Sequence, residues 1–364
     1  MRGLGSQQIE SRLRQTDTRG SAALPWLGMP IAKLGELKRV LVIGSHLRKD
    51  LPLIAARVRT ATKQGLKVYR LDAGGNDWLM PIAAHLKSKP SQWVDQLGQI
   101  AQAIAQAKSI SSPSGLAVNS VSREAQTIAD QLLSNIKLES PEPQAILLGS
   151  LAIAHPNASD LHVLAEFIAK HTGCTFGFLC EGGNAVAAQM VGATQGNQGS
   201  IETVLQSKAR AYVMLHVEPL NDLPNPQHTR SALQAADTVI AMSAYTSPDL
   251  LELADVILPI TPYTETIGSY VNMAGQVQTI QPSVCPLADA RPAWKVLRAL
   301  GSLLNLEGFL YNLPEEVYAD AFAKPVQDLL NNGFTATPEV QQRVPLAAAL
   351  ERLADQPIYS SDAI

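Results

Sequence analysis

At 364 residues, 46% hydrophobic and 17% charged, with a net charge of −3, the chain has the balance of a folded globular protein with ample core. The near-neutral charge implies no general affinity for nucleic acid. The longest apolar runs, such as 145–154, fall far short of the roughly 18 residues a spanning helix needs, and "MRGLGSQQIESRLRQ" lacks the apolar core of a secretory leader.

The length allows two domains at about 100–200 residues each. The expectation is a soluble, cytoplasmic protein with no direct membrane insertion. Cys174, Cys180 and Cys285 form no CxxC pair, and three thiols cannot complete a four-cysteine iron–sulfur site. No histidine stands at a zinc-ligand spacing. All three are expected to be small buried apolar residues.

Short β-like runs alternate with amphipathic helices, which points to parallel βαβ units. "RVLVI" (39–43) is the first clear strand and ends at Gly44-Ser45; a helix over 51–64, stopped by Gly65, leads to a strand over 67–72. A helix over 92–108 follows, with Ser91 as N-cap and Trp93, Leu97, Ile100 and Ile104 at helical spacing. The pattern then predicts a short strand at 116–118, a helix capped by Ser122, and a strand at 145–148, closing a first module near residue 150. A second module opens with a helix over 160–171. The Gly- and Asn-rich stretch 173–200 reads as a functional loop or a loop broken by a short helix. Strands are predicted at 211–217, 237–242 and 255–259. Between the last two, Ser247 and Pro248 mark a strong helix start. A helix over 293–304 precedes a tail, 306–364, read as helical. The domains expected are thus a lead-in (1–34), two α/β modules (35–150 and 151–305) and a helical C-terminal extension (306–364).

Three strand ends carry polar or glycine-containing loops, beside the stretch after the last strand, and in open α/β sheets ligands sit beyond the carboxyl ends of strands. "VIGSHLRKDLP" (42–52) offers Gly44 and Ser45 before a helix, a plausible approach for a phosphate. It matches neither GxGxxG nor the P-loop, so an ordinary strand-to-helix turn is favoured. In "HVEPLNDLP" (216–224), His216 and Glu218 two residues apart on a strand would share a face and could do acid–base work. With no nucleophile in view, a hydrogen-bonded turn is favoured. "CEGGNAVAAQMVGA" (180–193) could form a backbone nest for an anion, with close helix packing favoured. "TETIGSYVNMAGQVQTIQP" (264–282) follows a buried strand and carries Glu265, Gly268 and Asn272. Gly268 and Gly275 suit turns. Val271, Val277 and Ile280 suit core anchors. Glu265 and Asn272 suit fixing the loop through backbone hydrogen bonds. No catalytic group stands out.

Several of these stretches, in order, resemble a known family. "VLVIGSHLRKDLPLIAARVRTATKQGLKVYRLD" (40–72) and "ADVILPITPYTETIGSYVNMAGQVQ" (254–278) are similar to segments of molybdopterin oxidoreductases. "IESRLRQ" (9–15), "PWLGMPIAKL" (25–34) and "RPAWKVLRALGSLL" (291–304) resemble one subunit family of bacterial NADH-quinone oxidoreductase, respiratory complex I, rather than formate dehydrogenase. It is the subunit whose N-terminal portion carries cysteine-rich iron–sulfur domains. The resemblance covers nearly the whole chain. It implies an α/β fold of two Rossmann-like parallel-sheet modules of the formate dehydrogenase-like type. It also implies the C-terminal half of a subunit whose iron–sulfur clusters belong to missing N-terminal domains, with no cofactor of its own. Those domains and the other hydrophilic subunits of respiratory complex I are the partners implied, at the cytoplasmic face of the bacterial inner membrane. Gly44, Ser45, Glu218, Glu265, Gly268 and Asn272 match positions near the family's pterin loops. The family's Asn-Pro after the first strand is Ser45-His46-Leu47-Arg48 here, its late Gly-Thr is Gly268-Ser269, and the basic residue after the late glycine is Gln276.

Three functions follow as expectations. The first is a non-catalytic scaffold in a complex passing electrons from NADH through iron–sulfur clusters to quinone. The second is a domain that binds a molybdopterin dinucleotide, as in formate dehydrogenase-like enzymes, and the third a free-standing nucleotide-binding module. A surface turned toward missing domains is expected to expose apolar area and to make the isolated chain poorly soluble.

Overall fold

A computed structural model describes residues 2–20, 22–134, 139–180, 182–196, 199–334 and 338–341. Twelve strands are described: β1 (Ala22–Leu24), β2 (Arg39–Ile43), β3 (Lys67–Asp72), β4 (Ala84–Lys87), β5 (Gln144–Leu148), β6 (Thr175–Phe178), β7 (Ala211–Leu215), β8 (Thr238–Ser243), β9 (Val256–Pro259), β10 (Gly268–Val271), β11 (Val277–Ile280) and β12 (Asn331–Phe334). The first sheet is parallel throughout, in the order β4-β3-β2-β5-β6. Its central strands are buried nearly end to end, as expected where helices cover both faces. Helix Pro52–Thr62 and the turn Ile31–Gly35 cover one face, around Val40, Val42, Val58 and Val68. Helices Trp93–Lys108, Arg123–Ser134 and Ala158–Thr172 cover the other, around Leu41, Ile43, Ile100 and Ile146. This is a doubly wound sheet whose direction of growth reverses between β2 and β5.

The expected boundary near residue 150 runs through this sheet. Helix Ala158–Thr172 and β6 belong to it, because β6 pairs with β5 from Ala145↔Thr175 to Leu148↔Phe178. The strand expected at 116–118 is absent. The chain turns at Pro113–Leu116, and Leu116 packs against Gly98 of helix Trp93–Lys108. The sheet edge is β4 instead, which its flanking prolines and short alternation concealed. Ser122 caps its helix through the Ala125 amide and Ser247 does so through that of Leu250. Ser91 instead lies inside a 3-10 turn, Pro90–Gln92, that precedes its helix.

The second sheet is a parallel trio, β7-β8-β9. Tyr212, Met214, Val239 and Ala241 face helices Ile201–Gln206, Pro226–Gln234 and Pro248–Leu253. Beyond β9 come an antiparallel hairpin, β10–β11, and helices Ala293–Leu303 and Pro314–Ala321. The C-terminal extension is not wholly helical: β12 pairs antiparallel with β1 of the lead-in. Residues 342–364 lie outside the described residues. No helix among the described residues is long and apolar enough to cross a membrane.

Candidate functional site

The reversal between β2 and β5 is where a doubly wound sheet offers its crevice, and Gly44 and Ser45 stand there as expected. The crevice is filled by the protein itself. Gly44 takes a positive φ of 58°, and its carbonyl accepts the amides of Leu151 and Ala152 at 3.0 and 3.2 Å. Those amides open the helical turn Ser150–Ile153, the kind of donors that hold an anion in a dinucleotide site. Gly149 sits so close that a Cβ there would overlap Ser45 Cβ. Asp50 supplies a negative charge of its own. Its Oδ2 accepts the His46 amide at 3.0 Å and the Ser150 hydroxyl at 2.9 Å. Ser45 is 1% exposed and its hydroxyl has no partner among the described residues, sealed behind the Gly149 contact.

At the end of β3, where such folds use an acid on a ribose, Asp72 is likewise engaged. One oxygen accepts Arg70 Nε at 2.7 Å; the other accepts the Gly74 amide at 2.7 Å and lies 3.0 Å from His85 Nε2. Arg70 continues to Asn76 and stacks over the Trp78 ring at 4.4 Å. Sequence reading passed over Asp72 and Asp50. The signal was there: an acid closing the second strand of a βαβ unit, and one in the first turn after the first.

A second cleft, of about 430 Å³, lies between the carboxyl end of the first sheet and the 219–222 turn after β7. The lead-in crosses it as a strap. Arg12, buried, pairs with Glu10 at 2.7 Å and donates to the carbonyls of Gly196 and Gly199. Arg14 donates to the Asn221 carbonyl. Asp17 accepts from Arg19, the Ser159 amide and the Ser159 hydroxyl. Burial alone would raise the Asp17 carboxyl, but these donors outweigh it and hold the group below its ordinary range. Asp222 has too little compensation: burial holds its carboxyl above the usual range in spite of Arg14.

Of the other expected stretches, 180–193 lines the second cleft through Cys180, Gly182, Asn184, Ala185, Ala188 and Gln189, whereas His216, Glu218, Glu265, Gly268 and Asn272 lie on neither cleft. The β7 strand stops at Leu215 and His216 turns with φ of 51°, so His216 and Glu218 share no strand face. Glu218 is exposed and accepts from Asn221 Nδ2 at 2.9 Å. Glu265 accepts the Leu287 amide at 3.1 Å. Asn272 Oδ1 accepts the amides of Ala274 and Gln276 in the hairpin turn, where Gly275 has φ of 76°. Gly268 is not a turn residue but the first residue of β10, opposite Ile280. With Ser269, Trp294 and Tyr318 it lines a third, mostly apolar cavity of about 430 Å³. The hairpin is a joint. Val271 is fully buried and its amide donates to Asn184 Oδ1 at 2.9 Å, and the Met273 carbonyl accepts the Leu27 amide at 2.7 Å. In the 180–193 stretch, Asn184 is thus a clamp on the hairpin; Glu181 lies outside the described residues. Among the cysteines, Cys180 is buried, Cys174 is half-buried with its thiol pushed up to about 12 by burial, and Cys285 is exposed, against expectation, on the 281–292 loop. Among the described residues no three His, Cys, Asp or Glu side chains gather as a metal site.

The model of the molybdopterin oxidoreductase family matches residues 1–303. The chain belongs to that family. The mitochondrial 78 kDa subunit of NADH-ubiquinone oxidoreductase from Neurospora crassa is 27% identical over 177 residues, 47% of this chain and 22% of that protein. The 75 kDa subunit from Reclinomonas americana is 45% identical over 53 residues, 15% of this chain and 8% of its own length. The fold is also that of acetylene hydratase from Pelobacter acetylenicus, with TM-score 0.56 and 14% identity over 81% of this chain and 51% of the hydratase. The chain therefore spans about a fifth or less of these curated relatives. The family implies a pterin cofactor, and the residues at this switch point do not fit one. The helix amides at the switch point serve Gly44, the site carries the Asp50 carboxylate, and Asp72 is held by Arg70. A further anionic group would meet repulsion instead of donors.

Proposed function

We propose that the chain is a non-catalytic α/β scaffold within the iron–sulfur-carrying subunit of an NADH-quinone oxidoreductase. The observation that carries this reading is the self-filled switch point, in a chain whose relatives include the 75 and 78 kDa subunits of such complexes. The whole complex would pass electrons from NADH through iron–sulfur clusters to quinone, at the cytoplasmic face of the bacterial inner membrane. The clusters would be held by N-terminal domains of the same subunit, and this chain would hold no cofactor. Its partners would be those domains and neighbouring hydrophilic subunits. Its own residues would set the position of the sheets and lend surfaces to assembly.

The test is to introduce Asp50→Ala and Asp72→Asn into the assembled complex. Turnover of NADH per assembled complex should stay unchanged, while the amount of assembled complex falls. Molybdenum and pterin should be far below one per subunit in the purified wild type. Stoichiometric molybdenum with a pterin, lost together in either variant, would replace the scaffold with the cofactor-binding domain of a formate dehydrogenase-like enzyme. Tight binding of a nucleotide by the isolated chain would instead favour a nucleotide-binding module.

A further inference from the structure

The second sheet is parallel throughout, yet one of its faces is uncovered along its β7 edge. Register places Val213, Ile240 and Val256 side by side, with Leu215, Met242 and Leu258 two residues further along; Met242 is buried and Ile240 and Leu258 are half-buried, so the uncovered part lies along β7 and at Val256. Val213, Leu215 and Val256 are 42%, 43% and 43% exposed, whereas Tyr212 and Met214 on the other face are 8% exposed. The covering helices reach only that other face, through Leu205, Leu233, Leu250 and Leu253. The reason is topological. Both crossovers advance the same way, β7 to β8 to β9, and right-handed connections then put every helix on one side. Parallel sheets otherwise bury both faces. The same strand has an open edge: among the described strands β7 pairs with β8 alone. Its sequence, Ala-Tyr-Val-Met-Leu, has none of the charges, prolines or bulges that protect an edge.

An uncovered stretch of face and an unprotected edge meeting on one strand call for a single occupant. We propose that this corner docks an α/β segment that adds a strand parallel to β7 and lays an amphipathic helix over Val213, Leu215, Ile240 and Val256. The proposal rests on the reading of the chain as a piece of a larger subunit. The first sheet shows the completed geometry, with strands on both sides of β2 and helices on both faces. Chain length supplies the source, since about half of the hydratase of this fold has no counterpart in these residues. A second copy of this chain fits poorly. Two β7 edges about a two-fold axis would pair antiparallel and bring no helix to either face.

The test places a single thiol on the face, Val213→Cys, in a Cys285→Ser background, because Cys285 is the exposed native cysteine. A maleimide should label the isolated chain within minutes and label the chain within the NADH-oxidising complex about tenfold more slowly or less. Equal rates would overturn the proposal. So would slow labelling of the isolated chain together with a doubled mass in light scattering, which would assign the face to a second copy. Independently, Val213→Lys with Leu215→Lys should cut the fluorescence of bis-ANS on the isolated chain several-fold with the far-UV circular dichroism unchanged; unchanged fluorescence would also overturn it. Absence of the chain from the NADH-oxidising fraction would count against the proposed function, with the bis-ANS pair still reading the surface.

Discussion

Asp50 decides what the switch point can do. Its carboxylate takes the place of an outside anion by accepting the His46 amide and the Ser150 hydroxyl. Asp50→Ala should leave both donors without that acceptor and destabilise the chain by about 1–3 kcal/mol, read as a lower urea midpoint. It should not create phosphate binding, because Gly44 still holds the Leu151 and Ala152 amides; phosphate affinity in the variant at millimolar concentration would contradict that. His162 acts at the same scale in a different way. Its ring lies against Phe334 with centroids 3.8 Å apart, and its two nitrogens face the carbonyls of Gly20 and Asn332. A neutral imidazole donates to only one of these. The two carbonyls favour a proton on the ring, but burial outweighs them and lowers the pKa from 6.5 to about 4. The unfolded chain therefore binds the proton first as pH falls. The contribution is whole above pH 6.5 and is lost progressively toward pH 4, by about 3 kcal/mol in all. Urea midpoints of the wild type should fall between pH 7 and pH 4.5 more steeply than those of His162→Gln; parallel slopes would show that the ring does not titrate with unfolding.

Elements are joined by close backbone contacts that small residues permit. A Cβ at Gly177 in β6 would overlap the Leu27 carbonyl, where "PWLGM" lies across the strand and Trp26 accepts the Phe178 amide at 2.8 Å. Gly177→Ala should detach this part of the lead-in at a cost of about 1–3 kcal/mol, visible as rapid proteolysis within residues 15–34 while the first sheet stays intact. Asn184→Ala removes the acceptor of the buried Val271 amide, so exchange of that amide should speed up, with smaller changes in β2 and β5. The parallel strands β2, β3, β5, β7, β8 and β9 were legible in the sequence because each is a short, largely apolar run, and β2, β3, β5 and β9 are closed by Gly44, Asp72, Gly149 and Pro259. The caps at Ser122 and Ser247 were legible for the same local reason. Other features depend on distant partners. Ala84–Lys87 becomes a strand through its register with Tyr69–Asp72, and Asn331–Phe334 through Ala22–Leu24. At the site, Gly44 and Ser45 could be placed at the strand end from sequence. That Asp50 and Gly149 close the crevice could not, since Gly149 lies about a hundred residues away and reaches it only through the β2–β5 pairing.

At the scale of the whole molecule, the lead-in couples the two sheets. Residues 10–19 touch the first sheet side through Ser159 and Asp160, and the second through Asn221 and the carbonyls of Gly196 and Gly199, ahead of helix Ile201–Gln206. The central ion pair, Glu10–Arg12, has side chains 0% and 4% exposed. Breaking one partner of a buried pair leaves an uncompensated charge, at about 3–5 kcal/mol. Arg12 also holds the Gly196 and Gly199 carbonyls, so the loss falls on the junction instead of on either core. Arg12→Met should therefore separate one unfolding transition into two. The second sheet, with three strands and the smaller core, should melt first. Tryptophan reports the order, because Trp26, Trp78 and Trp93 lie with the first sheet and Trp294 opens the helix after the second. In the wild type, fluorescence and far-UV circular dichroism should trace the same curve. In Arg12→Met with Trp294→Phe, the remaining fluorescence should lag behind the dichroism on heating. Coincident curves in that variant, shifted together to lower temperature, would mean that the lead-in adds stability without joining the sheets.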